Sequence, residues 1–150
     1  MKVAVLMGSA TDKDRMRPAV ETLGRFGIEV DERVLSAHRN PDEVAELARS
    51  GRDAGYAAFI CGAGMAAALA GVVAAHTTLP VVGVPLSGGG ALNGLDALYA
   101  TVQMPKGIPV ACVAIDGAMN AALLVVEMLA LADEALVEAL GADRRERAGG

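Results

Sequence analysis

The sequence has few aromatic residues and few basic ones. Of its 150 residues none is Trp, two are Tyr and two are Phe, and 13 Lys and Arg stand against 18 Asp and Glu. The formal net charge of −5 argues against a protein that binds nucleic acid through a basic surface. The shortage of aromatic rings also removes the platforms on which single-stranded bases stack. We therefore expect no nucleic-acid partner.

Long hydrophobic runs and a cysteine framework are also missing. No uninterrupted run of hydrophobic residues approaches the roughly 18 that a membrane-spanning helix needs, so we expect no membrane partner. The only two cysteines, Cys61 and Cys112, do not have the spacing of a metal site. Buried thiols in a reducing compartment are the simplest interpretation, and they predict a cytoplasmic protein.

Small apolar residues make up for the missing aromatics. The chain is 53% hydrophobic and contains 18 Gly, which allows close packing of backbones. A chain of this length can bury one sizeable core. We therefore expect a single domain over residues 1–150, in which residues 143–150 form a charged, flexible tail.

Five apolar runs alternate with helical patterns along the chain. The runs predict strands at 3–7, 28–35, 56–61, 79–85 and 108–115. Amphipathic spacing predicts helices between them and a long C-terminal helix over 120–140, with a break at Asp133 as an alternative. Parallel strands need crossover connections, which place helices on both faces of the sheet. The pattern is typical of an α/β fold with a five-stranded parallel sheet in flavodoxin-like order.

Three polar or glycine-rich segments follow the first three predicted strands, where such a sheet binds ligands. The first, 8–12 (GSATD), offers two hydroxyls and free amides at a helix N-terminus, an arrangement suited to a phosphate. Two alternatives remain open for it. Ser9, Thr11 and Asp12 could merely cap the helix, or Asp12 could accept hydrogen bonds from a sugar hydroxyl.

The second segment, 36–41 (SAHRNP), holds one of only two histidines, beside an arginine. Imidazole exchanges protons near neutral pH, so His38 is suited to proton transfer, and Arg39 offers a planar fork for a phosphate. The alternative is a solvated loop histidine. The third segment, 62–65 (GAGM), lacks the full dinucleotide fingerprint, and its glycines favour close approach of backbone to a flat ligand.

Four motifs together carry a resemblance to a known family: MGSATD at 7–12, SAHRNP at 36–41, GAG at 62–64 and VQMPKGIPV at 102–110. In this order and spacing, the chain resembles the 5-(carboxyamino)imidazole ribonucleotide mutases of bacterial purine synthesis, the class I aminoimidazole ribonucleotide carboxylase family. The match runs from about residue 3 to 140. The resemblance implies a three-layer αβα sandwich, a homo-octamer, a catalytic domain with no metal or organic cofactor, and a small ribotide as substrate.

The resemblance also implies roles for particular residues. His38 corresponds to the catalytic histidine, and Thr11 stands where serine is usual. The reaction moves a carboxyl group from the exocyclic nitrogen of an aminoimidazole ribotide to ring carbon 4. The implied substrate-binding residues are Ser9, Thr11, Asp12, Ser36, Ala37, Arg39, Ala63, Gly64 and Leu69.

One position departs from the family pattern. After the GAG motif the mutases usually continue Gly-Ala-Ala-His-Leu-Pro-Gly, whereas residues 65–71 read MAAALAG, so Ala68 replaces a histidine. This leaves three hypotheses: the mutase, an aminoimidazole ribonucleotide carboxylase that uses free carbon dioxide, and a non-catalytic ribotide-binding paralogue.

Overall fold

A computed structural model describes residues 1–149 and shows one sheet of five parallel strands. The spatial order is β2-β1-β3-β4-β5, so the predicted flavodoxin-like order is confirmed. The strands are β1 (Lys2–Met7), β2 (Glu29–Val34), β3 (Tyr56–Gly64), β4 (Val81–Leu86) and β5 (Ala111–Cys112).

Helices cover both faces of the sheet, which makes the three layers that the family resemblance implied. They are α1 (Lys13–Arg25), α2 (Pro41–Ser50), α3 (Leu69–His76), α4 (Leu95–Val102), α5 (Ala118–Ala130) and α6 (Glu134–Ala148), with a short 3-10 turn at Ala10–Asp12. Buried residues of α1 and α5 share one hydrophobic core with the sheet, and those of α2 and α3 share the other.

The central strands are apolar because both of their sides are covered. In β1, Val3 and Val5 face the core beneath α1 and α5, while Ala4 and Leu6 face the core beneath α2 and α3. All six residues of β4 are buried as well. By contrast, β2 lies at an edge and contains four charged residues and only two valines. The continuous apolar runs in the sequence therefore mark the interior of the sheet.

Small residues allow close packing where aromatics are absent. A Cβ on Gly83 of β4 would lie 2.3 Å from Cγ2 of Thr101, and a Cβ on Gly62 of β3 would lie 2.3 Å from Sδ of Met16. A side chain at either position would therefore force its neighbour to move. Helices α1 and α4 thus pack directly on the sheet backbone at these two glycines.

The C-terminal region decides one open alternative and corrects two predictions. The alternative with a break at Asp133 is confirmed: two helices are separated at residues 131–133, and Asp133 caps α6 by accepting a hydrogen bond from the Ala135 amide at 3.0 Å. The second helix does not end at Gly141 but continues to Ala148. The predicted flexible tail is helical over 143–148, where Arg147 and Arg25 both pair with Asp143; Gly150 lies outside the described residues.

The fifth strand is shorter than predicted. Only Ala111 and Cys112 pair with β4, opposite Val82 and Gly83, although the apolar run covers 108–115. The strand lies at the edge of the sheet, and Pro109 has no amide hydrogen to donate to a ladder. An apolar run that pairs on one side only does not need to form strand along its whole length.

Two further findings concern the burial of the cysteines and the expectation that no helix spans a membrane. Both cysteines are free; Cys61 is buried, while Cys112 is only partly buried, which corrects the prediction for that thiol. Desolvation raises the pKa of both thiols. Among residues 1–149 no helix has the length and apolar character required to cross a membrane.

Candidate functional site

A pocket of about 760 Å³ lies at the carboxyl edge of the sheet. Loops that follow β1, β2, β3 and β4 form its walls. Parallel strands bring these loops together because all of their carboxyl ends meet at one edge. Every residue predicted for the site lines this one pocket: Ser9, Thr11, Asp12, Ser36, Ala37, His38, Arg39, Ala63, Gly64 and Leu69.

The loop after β1 places two hydroxyls and a carboxylate on the pocket wall. Ser9 caps the 3-10 turn, since its Oγ accepts a hydrogen bond from the Thr11 amide at 3.3 Å, and its Oγ lies 2.9 Å from Oγ1 of Thr11. Asp12 precedes α1 but makes no capping hydrogen bond with its side chain. The capping alternative therefore holds for Ser9 but not for Asp12, whose carboxylate is left for the pocket.

Asp12 lies in a mixed electrostatic environment. Partial burial raises the pKa of its carboxyl, because desolvation disfavours the charged form, while Arg15 and Arg39 act in the opposite direction. A carboxylate near two guanidinium groups can accept hydrogen bonds from ligand hydroxyls without adding net negative charge to the pocket.

The loop after β2 carries His38 and is hydrogen-bonded to the residue that follows β1. The Arg39 side chain donates a hydrogen bond to the Gly8 carbonyl, and the Arg39 amide donates to Ser36 Oγ at 3.3 Å. Asn40 accepts a hydrogen bond from the Ser36 amide at 3.3 Å. Within residues 1–149 the exposed His38 ring has no hydrogen-bond partner, so both of its nitrogens are available to a ligand.

Glycines let the loops after β3 and β4 touch each other. A Cβ on Gly64 would lie 2.9 Å from the Gly88 carbonyl oxygen, so a side chain there would separate the loops. Met65 has a left-handed backbone (φ 54°) and an exposed side chain. Ala68 directly precedes α3, lines the pocket and makes no side-chain capping bond. The position at which the family pattern has a histidine therefore faces the site.

The sequence reading missed Arg15, which also lines the pocket. Its guanidinium lies against Gly88, where a Cβ would come within 2.9 Å of Nη1, and its Nε lies 3.8 Å from Oδ1 of Asp116. The signal that could have found it is spacing, because a residue three positions after Asp12 lies on the same face of a helix. Ala66 and Ala67, which also line the pocket, were missed as well.

The family model described as AIR carboxylase matches residues 2–149. The chain belongs to the AIR carboxylase family. Its similarity to individual members extends over most of their length. A protein of Saccharolobus solfataricus named N5-carboxyaminoimidazole ribonucleotide mutase is 52% identical over 87% of this chain and 82% of its own. A protein of the same name from Vibrio vulnificus is 48% identical over 98% of this chain and 92% of its own.

The fold is similar to that of solved structures. The crystal structure of Treponema denticola PurE superimposes with a TM-score of 0.85 and 27% sequence identity, covering 99% of this chain and 92% of that one. The agreement in fold at this lower identity shows that the architecture of the sheet is maintained while most side chains differ.

Proposed function

We propose that this member of the AIR carboxylase family is an N5-carboxyaminoimidazole ribonucleotide mutase of purine biosynthesis. The observation that carries the proposal is the convergence of His38, Asp12 and Arg39 on one pocket, in a chain about half identical to relatives of that name. The enzyme is then an isomerase that moves a carboxyl group within one ribotide.

The pocket offers a separate group for each part of a ribotide. Arg39 and the hydroxyls of Ser9 and Thr11 suit the phosphate, since a guanidinium fork and hydroxyl donors match its oxygens. Asp12 suits the ribose hydroxyls as a hydrogen-bond acceptor. The backbone of Ala63 and Gly64 lets the flat imidazole ring approach the sheet edge, with Ser36, Ala37 and Leu69 completing the wall.

The first half of the reaction is loss of carbon dioxide from the carbamate. Protonated His38 donates its proton to the exocyclic nitrogen, the nitrogen–carbon bond breaks, and its electron pair stays on the nitrogen. The products are carbon dioxide and a neutral aminoimidazole ribotide. The pocket must retain the carbon dioxide at this stage, so confinement replaces a bimolecular encounter.

The second half forms the new bond. The electron-rich ring carbon 4 attacks the retained carbon dioxide, and a carboxylate forms on the ring. Carbon 4 still carries a proton, and neutral His38 accepts it, which restores the aromatic ring and the protonated histidine. One histidine thus gives a proton in the first half and takes one in the second, so the cycle closes without net proton transfer.

The remaining expectations concern the whole protein. We infer one catalytic domain that needs no metal or organic cofactor, acts in the cytoplasm and assembles as a homo-octamer. Exposed apolar side chains on and beside α4, at Leu92, Leu95, Tyr99 and Val102, support a subunit contact. Light scattering tests the assembly: a mass of eight subunits supports it, and a monomer contradicts it.

Ala68 favours a second candidate function. Because a methyl group stands in the pocket where the family pattern has an imidazole, the site could instead carboxylate aminoimidazole ribotide with free carbon dioxide. The third hypothesis, a ribotide-binding paralogue without activity, rests on the same residue. Ribotide binding without turnover, together with turnover gained in Ala68→His, would support that paralogue.

An assay with two alternative substrates tests the proposal. The purified protein is given either the carbamate ribotide without added bicarbonate or aminoimidazole ribotide with bicarbonate, and formation of the ring-carboxylated product is followed. The mutase predicts turnover of the carbamate at a rate that bicarbonate does not increase. Turnover of the second mixture alone would overturn the mutase in favour of the carboxylase.

A further inference from the structure

Arg15 is a cation in the pocket to which neither the motifs nor the proposed roles assign a task. It lies on α1, one turn after Asp12, and its side chain is 40% exposed. Within residues 1–149 it donates no hydrogen bond; its one ionic contact is Asp116, at 3.8 Å from Nε, beyond hydrogen-bond distance. A guanidinium carries five N–H donors, so most of its binding capacity is left for a ligand.

Asp116 holds this arginine in place without occupying its donors. Its two carboxylate oxygens accept hydrogen bonds from the amide of Ser87, at 3.0 Å, and from the Ser87 hydroxyl. Asp116 itself has a left-handed backbone (φ 58°), which directs its side chain back onto the loop after β4. The carboxylate therefore fixes the loop and attracts Arg15 through charge, leaving the guanidinium N–H groups unused.

Gly88 leaves room for the guanidinium of Arg15. A Cβ at that position would lie 2.9 Å from Nη1 and 3.0 Å from Cζ of Arg15, so only glycine leaves the guanidinium in its present position. The same loop touches Gly64 after β3. Arg15 thus lies on the β3–β4 side of the pocket, where the loops that accommodate the flat ring meet.

The two pocket arginines both act on Asp12 but contact different loops. Arg39 is bonded to the Gly8 carbonyl on the β1–β2 side, whereas Arg15 lies beside the loop after β4. Two strand spacings separate β1 from β4, which amounts to roughly 10 Å. That is the scale of a mononucleotide from its phosphate to the far edge of its base. The order Arg39, Asp12, Arg15 therefore matches phosphate, ribose and a second anion on the ring.

We propose that Arg15 binds the carboxylate of the carboxylated ribotide and makes the site selective for it over the uncarboxylated one. The inference rests on the proposed function, which supplies a ligand with a phosphate at one end and a carboxylate at the other. Arg15 approaches a carboxylate with the planar, two-pronged geometry that guanidinium groups favour. Arg15 also supplies a positively charged side chain to the pocket. Ala68, which stands where the family pattern has a histidine, supplies none.

Calorimetric titration of Arg15→Gln with two ligands tests the inference. The ligands are aminoimidazole ribonucleotide, which has only the phosphate, and 4-carboxy-5-aminoimidazole ribonucleotide, which has both anions. Loss of a charged hydrogen-bond partner predicts at least tenfold weaker binding of the carboxylated ligand, with binding of the other changed less than threefold. Arg15→Lys should recover part of the loss, because it keeps the charge without the fork.

Arg17→Gln is the matched control, since Arg17 lies on the same helix, is exposed and pairs with Asp14 outside the pocket. It should bind both ligands as the unaltered protein does. If Arg15→Gln weakened the binding of both ligands equally, or of neither, the inference about Arg15 would be overturned. The proposed function would not be affected. Failure of the unaltered protein to bind either ribotide would overturn the proposed function and the inference with it. A circular dichroism melt of each variant separates these results from unfolding.

Discussion

The two ends of the sheet hold similar side chains in opposite arrangements. At the amino end of β3, the Tyr56 hydroxyl donates to Asp31, and Arg33 Nε donates to both carboxylate oxygens of Asp31, at 3.0 and 3.1 Å. Lys2 Nζ lies 4.2 Å from the centre of the Tyr56 ring. At the carboxyl end, His38 and Arg15 have no hydrogen-bond partner within residues 1–149.

This contrast distinguishes structural charges from functional ones. Charges that satisfy one another stabilise the fold and leave nothing for a ligand, whereas charges beside a cavity that keep unused hydrogen-bond donors are available to bind. Substitutions at the carboxyl end should therefore change activity and leave stability intact. Substitutions at the amino end should do the reverse.

The largest expected effect is that of His38→Asn. Removal of the proton carrier should lower kcat by about 10³-fold, while ribotide binding stays within a few-fold because the phosphate and sugar contacts remain. Steady-state kinetics and calorimetry measure the two quantities. His76→Asn is the control, since His76 ends α3 and does not line the pocket. Near-normal turnover in His38→Asn would exclude His38 as the proton carrier.

Arg39→Ala should weaken binding rather than chemistry. Loss of a charged hydrogen bond to phosphate costs about 1.5–3 kcal/mol, which corresponds to a roughly 10- to 100-fold higher Kd. Calorimetric titration with aminoimidazole ribonucleotide measures this Kd. Arg49→Ala, at an exposed arginine on α2 that pairs with Glu46, should bind normally. If kcat at saturation fell instead and Kd stayed the same, the assignment of Arg39 to the phosphate would be wrong.

At the amino end, Tyr56→Phe should lower the free energy of unfolding by about 1 kcal/mol. The ring remains in the core, but the Asp31 carboxylate loses the hydroxyl donor. Urea titration gives the loss. Tyr99→Phe on α4 should show none, because within residues 1–149 the Tyr99 hydroxyl makes no hydrogen bond and the ring is kept. Activity should be unchanged in both variants. A loss of activity in Tyr56→Phe without a loss of stability would contradict the contrast between the two ends of the sheet.

The smallest effect is a change in acid stability. The hydrogen bond from Arg33 lowers the pKa of Asp31 below its ordinary 3.8, so Asp31 contributes stability above that pH and loses it as the pH falls through its lower folded-state value. Asp31→Asn should remove this contribution, less than about 1 kcal/mol because the pair is partly exposed. Its stability curve should then meet that of the unaltered protein at low pH.

Unfolding by urea at several pH values measures this difference. Glu32→Gln, an exposed neighbour on β2 without an ion pair among residues 1–149, should keep the acid dependence of the unaltered protein. Parallel curves for Asp31→Asn and the unaltered protein would contradict the prediction, because they would show that ionisation of Asp31 contributes nothing to the pH dependence of stability.

Most of the fold could be predicted from the sequence because buried parallel strands have an unmistakable pattern. β4, and β1 after Lys2, are apolar throughout since both faces are covered, and Pro41 and Gly51 mark α2 at its two ends. The predictions failed where one side of an element is free. The edge strand β5 pairs over only two residues, and α6 continues past Gly141 to Ala148.

The members of the candidate site could be predicted for a different reason. Parallel topology brings every segment that follows a strand to the same edge, so His38 and Ser9 share a pocket even though 29 positions separate them along the chain. Arg15 was not predicted because an arginine on an amphipathic helix normally faces solvent. Its contact with Gly88 depends on the loop after β4, whose path the sequence does not encode in a recognisable motif.

The most direct test of the central claim is the fate of the transferred carboxyl group. Carbamate ribotide labelled with ¹³C in the carboxyl group is converted by the protein in a buffer that contains excess unlabelled bicarbonate, and the product is examined by mass spectrometry. A mutase whose pocket retains carbon dioxide between the two halves of the reaction predicts a product that keeps the label. Product that carries unlabelled carboxylate in proportion to the bicarbonate would contradict the account.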